Sequence, residues 1–278
     1  MYFPKFWARA ECEGQISWRW SDRSFADAQT LAEEAAQRMA DRIRHGDIPQ
    51  RHQGYYPGRA FREPVLRELR NATGELAAAV TRNSYGCLVL NTARVMFVDV
   101  DLPEPKPSGG LLGRLFRKPD LKPPGEAQNN AIAKAELWIR KNPDWGWQIY
   151  RTRAGLRLLA THALFDPETA ASDSVFDALG ADPLYRQLCK AQKCFRARLT
   201  PKAWRCGIHE KPERWPYLSP KAEKKFQMWE HIYQNTCRNW ATCETVRTIG
   251  NRDVHPDVRI VIEFHDETTR ADSKLALA

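Results

Sequence analysis

The eight residues 94–101, RVMFVDVD, constrain this chain more than any other stretch. Apolar and β-branched residues fill the run until two aspartates arrive, and a strand is the element such a run forms. Alternate residues on a strand share a face. Asp99 and Asp101 are therefore expected to project together with Val95 and Phe97, while Met96, Val98 and Val100 face the core. Two carboxylates about 7 Å apart at the end of a strand make a seat for hard divalent cations, Mg²⁺ or Mn²⁺. Leaving both ionised in an apolar strand is costly without a cation or basic neighbours. The plainer reading is that the strand simply ends in water. Upstream, the longer run 84–101, SYGCLVLNTARVMFVDVD, places two β-rich stretches around Asn91-Thr92, the pattern of a hairpin.

Two further strands bring cations. In IYRTRAGLRLLATH the odd positions Arg151, Arg153 and Arg157 oppose an apolar set of Tyr150, Leu156 and Leu158, with Gly155 able to bend the strand. In CFRARL, Arg196 and Arg198 share one face and Phe195, Ala197 and Leu199 the other, with Lys202 and Arg205 close behind. A sheet face joining two carboxylates to several guanidiniums suits a metal-bound triphosphate, because arginine forks match phosphate oxygens. A solvated basic face with scattered ion pairs is the alternative.

Around these strands the pattern alternates. FPKFWARAE and GQISWRW read as short strands, and Ser24 caps a long amphipathic helix over 24–46. A Pro/Gly/Tyr-rich loop (IPQRHQGYYPGRA) leads to a helical stretch at FREPVLRELR. Residues 103–125 are dense in Pro and Gly, with five basic residues against two acidic, and form a basic insertion. Helices are expected over 127–141, 172–180, 183–191 and from Ser219 to about Trp240, with VRIVIEF as a last strand. The fold class is α+β, divided into a 1–83 N-terminal α/β unit, an 84–210 core and a 211–278 C-terminal helix and strand packing on that core.

Composition permits a polyanionic partner. The chain has 278 residues, enough to bury a core unaided, and a formal charge of +9, which favours nucleic acid through counterion release. No apolar run is long enough for a membrane span, and the N-terminus lacks a secretory signal, so a cytoplasmic location is expected. Seven scattered cysteines read as reduced thiols. Cys189, Cys194, Cys206 and His209, at spacings of five, twelve and three, offer zinc ligands, but tetrahedral sites usually begin with a tighter Cys pair, which disfavours structural zinc. The ten tryptophans include Trp7, Trp18, Trp20, Trp204, Trp215, Trp229 and Trp240; some could stack on unpaired bases, while most fit a core or interface role.

The order of these motifs resembles the archaeo-eukaryotic primases and their PrimPol relatives. YGCLVLNTARVMFVDVDLP looks like the hairpin of the family's first motif, which ends in Asp-x-Asp or Asp-x-Glu. ELWIRKNPDWGWQIYRTRAGLRLLATH is similar to the second, in which a small-residue turn precedes a His. Here the turn is Thr152-Arg153-Ala154-Gly155, and Arg157 stands where that His would be. ADPLYRQLCKAQKCFRARLTPKAW resembles the segment bearing the third acid and following basic elements, matched by Asp182 and by Arg196, Arg198 and Lys202. Asp166 and Glu263 are alternative third acids. The likeness covers roughly residues 84–206. It implies a primase-like core with an RRM-like antiparallel sheet beside the N-terminal unit. It further implies a metal-dependent nucleotidyltransferase that takes nucleoside triphosphates on single-stranded or primed nucleic acid. Asp99, Asp101 and Asp182 would hold Mg²⁺ or Mn²⁺. Thr152, Arg153, Gly155, Arg157, Arg196, Arg198 and Lys202 would bind nucleotide. The chain carries no helicase motif, so unwinding calls for a separate protein partner. Replacing the His by Arg157 keeps a phosphate-binding cation and removes a group that titrates near neutrality, which leaves open a silent nucleic-acid-binding member or an interaction subunit.

Overall fold

The computed structural model describes residues 1–47, 60–102 and 124–278. Strands β1 (Phe6–Cys12) and β2 (Gln15–Ser21) pair antiparallel through a turn in which Glu13 and Gly14 both have positive φ, the geometry of a two-residue hairpin. Helix α1 (Phe25–Arg44) begins where Ser24 accepts from the Asp27 amide at 3.1 Å. Its buried stripe is alanine at positions 28, 32, 35, 36 and 40, and Ala8 and Ala10 of β1 join three of these in one cluster. Small side chains on both surfaces let helix and hairpin approach closely.

The remaining elements are β3 (Val65–Arg70), β4 (Leu76–Arg82), β5 (Leu88–Thr92), β6 (Phe97–Asp101), α2 (Pro124–Lys141), β7 (Gly146–Thr152), β8 (Gly155–Ala160), α3 (Ala170–Leu179), α4 (Pro183–Gln192), β9 (Phe195–Arg198), α5 (Pro220–Cys237), β10 (Cys243–Gly250) and α6 (Pro256–Thr269). They form two four-stranded antiparallel sheets, ordered β3-β4-β5-β9 and β10-β7-β8-β6. The class is α+β, as expected.

Three local expectations are corrected. The run 84–101 is no hairpin: β5 pairs with β4 and β9, whereas β6 pairs with β8 in the other sheet. Asn91 is not a turn residue but lies buried in β5, its amide donating to Ala79 O at 3.0 Å and Thr81 Oγ1 at 2.9 Å. The chain crosses between sheets at 93–96, where Thr92 Oγ1 donates to Val95 O at 2.6 Å. FREPVLRELR is the edge strand β3 rather than a helix; only Leu69 of that strand is buried, and pairing with β4 overrides the helix preference of its Arg, Glu and Leu residues. VRIVIEF is helical, inside α6. Pro256 opens that helix, the His255 ring accepts from the Asp257 amide, and Val258, Val261, His265 and Thr269 form its buried stripe. A seven-residue window of β-branched residues hides that longer period. The last strand is instead β10, an exposed edge.

Helix α6 touches both sheets. Arg67 of β3 lies 4.9 Å over the Phe264 ring, while His265 lies 4.7 Å from Tyr150 and 5.4 Å from Phe97, ring to ring. Val98, Val100, Leu156 and Leu158 point the other way and are also buried, on the side where α2 and α3 meet β8 and β6. The β6–β8–β7 layer is therefore covered on both faces, and Val95 and Phe97 belong to the core together with Met96, Val98 and Val100. At the end of β6 the layer opens, with Asp99 half-buried and Asp101 exposed.

Candidate phosphate and metal site

Register decides which side chains meet. Asp99 pairs with Arg157 across β6 and β8, and Arg157 with Tyr150 across β8 and β7, so these three share a face. Arg151 pairs with Leu156 on the opposite face, is exposed, and ion-pairs with Glu244 of β10. This corrects the expectation that Arg151, Arg153 and Arg157 line one face against Tyr150: a two-residue turn matches each odd-numbered residue with an even-numbered one.

Arg157 is almost wholly buried, its side chain 1% exposed. Its Nε donates to Asp99 Oδ1 at 2.8 Å and its Nη2 to Oδ2 at 3.4 Å. Nη1 donates to the Arg198 carbonyl at 2.9 Å and lies 3.3 Å from His265 Nε2. A guanidinium only donates, so Nε2 accepts, and the His265 proton sits on Nδ1, 2.8 Å from Asp266 Oδ1. Burial alone would push the Arg157 guanidinium down, but Asp99 outweighs it and the group stays charged. One side chain thus joins β6, β9 and α6. Sequence reasoning missed His265 and Asp266, because their segment looked like a strand.

Asp101 ends β6, exposed, opposite Gly155. A Cβ on Gly155 would stand 2.0 Å from the Val100 carbonyl oxygen, so this glycine is what lets the two strands close beside Asp101. Gly155→Ala should cost about 1–3 kcal/mol in a urea melt; an unchanged midpoint would mean the strands do not approach this closely. Thr152 closes β7, and Arg153, exposed in the turn, stands at the same end of the sheet. Leu102 N donates to Ala154 O at 2.9 Å, fixing that turn against the chain leaving β6.

Asp182 caps α4, accepting from the Tyr185 amide at 2.7 Å, while its own amide donates to the Asp99 carbonyl at 2.9 Å. The third acid is thereby tied to the first. Desolvation, then the charges of Asp182 and Asp99, raise the Asp101 carboxyl above its ordinary 3.8, while Lys202 and Arg198 pull it down. Burial and the nearby Arg198 and Arg205 lower the Lys202 ammonium. Arg198 Nε is buried with no hydrogen-bond partner among the described residues. The three acids therefore gather where β6 ends, and a basic run from β9, a strand of the other sheet, into the 3₁₀ turn Ala203–Cys206 supplies the cations that act on Asp101.

Other expected residues lie elsewhere. Arg196 donates to both Glu63 oxygens at 3.0 and 2.7 Å, each side chain 10% exposed, and stacks on Phe61 at 4.5 Å, so its charge is spent fastening β9 to the chain before β3. Asp166 accepts from the Glu168 amide in the turn before α3, and Glu263 is on the exposed side of α6. Cys189 is buried within α4 and Cys194 is buried just after it, Cys206 packs in a separate cluster with Cys237, and His209 is on the surface. The expected basic insertion at 103–125 falls outside the described residues, apart from the first two residues of α2.

Among the described residues no three His, Cys, Asp or Glu side chains already form a cation's ligand set. Asp182 and Asp99 nonetheless both oppose the charge on partly desolvated Asp101, an arrangement in which Asp101 and one neighbour could hold a hard cation, with water completing its shell. No helix among the described residues is long and apolar enough to cross a membrane. No family model matches the sequence, and neither the curated proteins nor the solved structures contain a match.

Proposed function

We propose that this chain is a divergent primase-polymerase-like nucleotidyltransferase, acting with nucleoside triphosphates and Mg²⁺ or Mn²⁺ on single-stranded or primed nucleic acid. The observation that carries the reading is that Asp182 is hydrogen-bonded to the backbone of Asp99 where β6 ends, and that the charges of Asp99, Asp182, Arg198 and Lys202 all act on Asp101 there, the two cations reaching it from β9 of the other sheet and the turn that follows. The path β6-α2-β7-β8 with strand order β7-β8-β6 is the part of an RRM-like unit that supports it; the strand that would complete such a sheet, β9, pairs instead with β5 in the other sheet, and β10 takes the remaining place beside β7. The solvent-facing end of that layer is where a triphosphate and a strand terminus could both reach.

In this reading Asp101, with Asp99 or Asp182, would hold the divalent ions, which when bound would supply Lewis-acid polarisation of a phosphate and activation of the attacking hydroxyl. Arg198 and Lys202 hold the β- and γ-phosphates and offset charge on departing pyrophosphate. Arg153, on the turn beside Asp101, is placed to join them. Arg157 acts from beneath: it orients Asp99 and holds the Arg198 backbone, and its burial keeps it from phosphate.

That burial favours a second reading. A permanently charged guanidinium under Asp99 already neutralises a carboxylate the chemistry needs, as in a catalytically silent member that keeps the fold and binds nucleic acid. The two separate in one assay. Mn²⁺-dependent incorporation of labelled nucleotide on primed or unprimed single strands, lost in Asp101→Asn, is the expected result. Strand binding without incorporation, and without divalent-dependent nucleotide binding, selects the silent member.

A further inference from the structure

Next to Lys202 the fold leaves two aromatic rings in solvent. Tyr85 is 54% exposed and Trp204 43%, their ring centroids 5.4 Å apart at 74°. Neither is needed by the hydrophobic cluster beneath, which Phe226, Trp229 and Tyr233 of α5 already fill. Both stand on tightly built supports. In the turn 83–86 the Asn83 side-chain oxygen accepts from the Tyr85 amide at 3.0 Å and the Cys87 amide at 3.1 Å, and the Asn83 carbonyl accepts from Gly86 at 2.9 Å. Gly86, at φ +80°, sits so close on Trp229 that a Cβ would come within 2.2 Å of its ring. Trp204 rides on Ala203–Cys206, pinned by buried Ala203 and Cys206 and closed where the Ile208 amide donates to the Ala203 carbonyl at 3.0 Å.

Lys202 links these rings to the acids. Its Nζ lies 5.3 Å from the Trp204 ring centroid, and its charge acts on Asp101. We infer that Tyr85 and Trp204 are a stacking platform for an unpaired base of a single nucleic-acid strand, whose backbone passes Lys202 on the way to the acidic centre. The inference rests on reading that centre as a nucleotide-handling site. Rigid rings beside a cation suit a nucleobase because every base offers a π face while its phosphate seeks the cation. In a duplex the bases are stacked and paired inside, so the platform discriminates for single strands.

The test uses the full chain, without divalent ion or nucleotide, at one salt concentration. Anisotropy of a labelled oligothymidylate is compared with that of an abasic strand of equal length and charge. Tyr85→Ala and Trp204→Ala should each weaken oligothymidylate binding roughly 5- to 100-fold and leave the abasic strand unaffected. Trp204→Phe, which restores a ring, should recover most of the loss. Equal losses on both strands, an unchanged affinity in the alanine variants, or no wild-type preference for bases over abasic sites would each overturn the platform; the last would make the rings a protein-docking patch. Because stacking needs no metal, base-dependent binding without incorporation would sink the catalytic reading and leave the platform standing, and incorporation with unaltered binding in the variants would do the reverse.

Discussion

Asp99→Ala should destabilise the protein by about 3–5 kcal/mol, well beyond what a metal-free active-site carboxylate would cost, because it leaves a guanidinium buried with no counter-charge. Arg157 is 1% exposed, and Asp99 is the carboxylate it bonds; the Arg198 carbonyl and His265 Nε2 supply dipoles but no charge. Arg157→Ala should be as damaging by another route, stranding an acceptor on β9 and another on α6 and opening a cavity at their junction. The coupling is measurable. Asp99→Asn with Arg157→Met should cost less than the two single changes summed, since each alone leaves one half of the pair unanswered. Urea melts of the four proteins give the coupling directly; an Asp99→Ala midpoint equal to wild type would show that Arg157 draws its compensation elsewhere. The consequence reaches function, since lost activity in Asp99→Ala cannot be separated from lost fold.

The elements whose signals are local were legible in the sequence. Ser24 and Ser219 start helices because each hydroxyl accepts an amide three residues on, and the β7–β8 pair reads from apolar alternation around a short turn. The errors occur where pairing is distant. β3 is a strand only because β4 offers it a ladder, and β5 parts from β6 by pairing with β4 and β9, where the Asn91 amide nitrogen donates to acceptors on β4 and on β5 itself. In α6, buried Val258, Val261 and His265 carry a helical period that consecutive β-branched residues disguise.

The site divides along the same line. Alternation on β6 and β9 was enough to put Asp99 with Asp101 and to bring Arg198 and Lys202 forward. What became of each arginine was not readable. Arg157 finds its acid 58 residues away and Arg196 finds Glu63 across 133, and each pairing removes a guanidinium from the phosphate-binding set by burying it. A sequence marks a cation's presence on a strand; which carboxylate reaches it first depends on how strands and helices from distant segments close over it.

Asp101 is therefore the residue on which the catalytic reading stands or falls, and Asp101→Asn should lower Mn²⁺-dependent incorporation about 100- to 1,000-fold while leaving stability within about 0.5 kcal/mol of wild type. Asparagine keeps the shape and an oxygen, and removes the charge a hard cation needs. Stability is expected to hold because Asp101 is exposed and is the acid that desolvation and its neighbours oppose: its carboxyl is raised above 3.8, so the ionised form favours the unfolded chain, weakly and under solvent screening. The sign follows. Folding gains slightly as pH falls through the raised value and loses slightly above it, and the amide variant lacks that slope. A matched pair of measurements, incorporation rate and urea midpoint, separates the causes that Asp99 confounds. An Asp101→Asn protein that folds and incorporates nucleotide like wild type would leave the acids at the end of β6 no catalytic task.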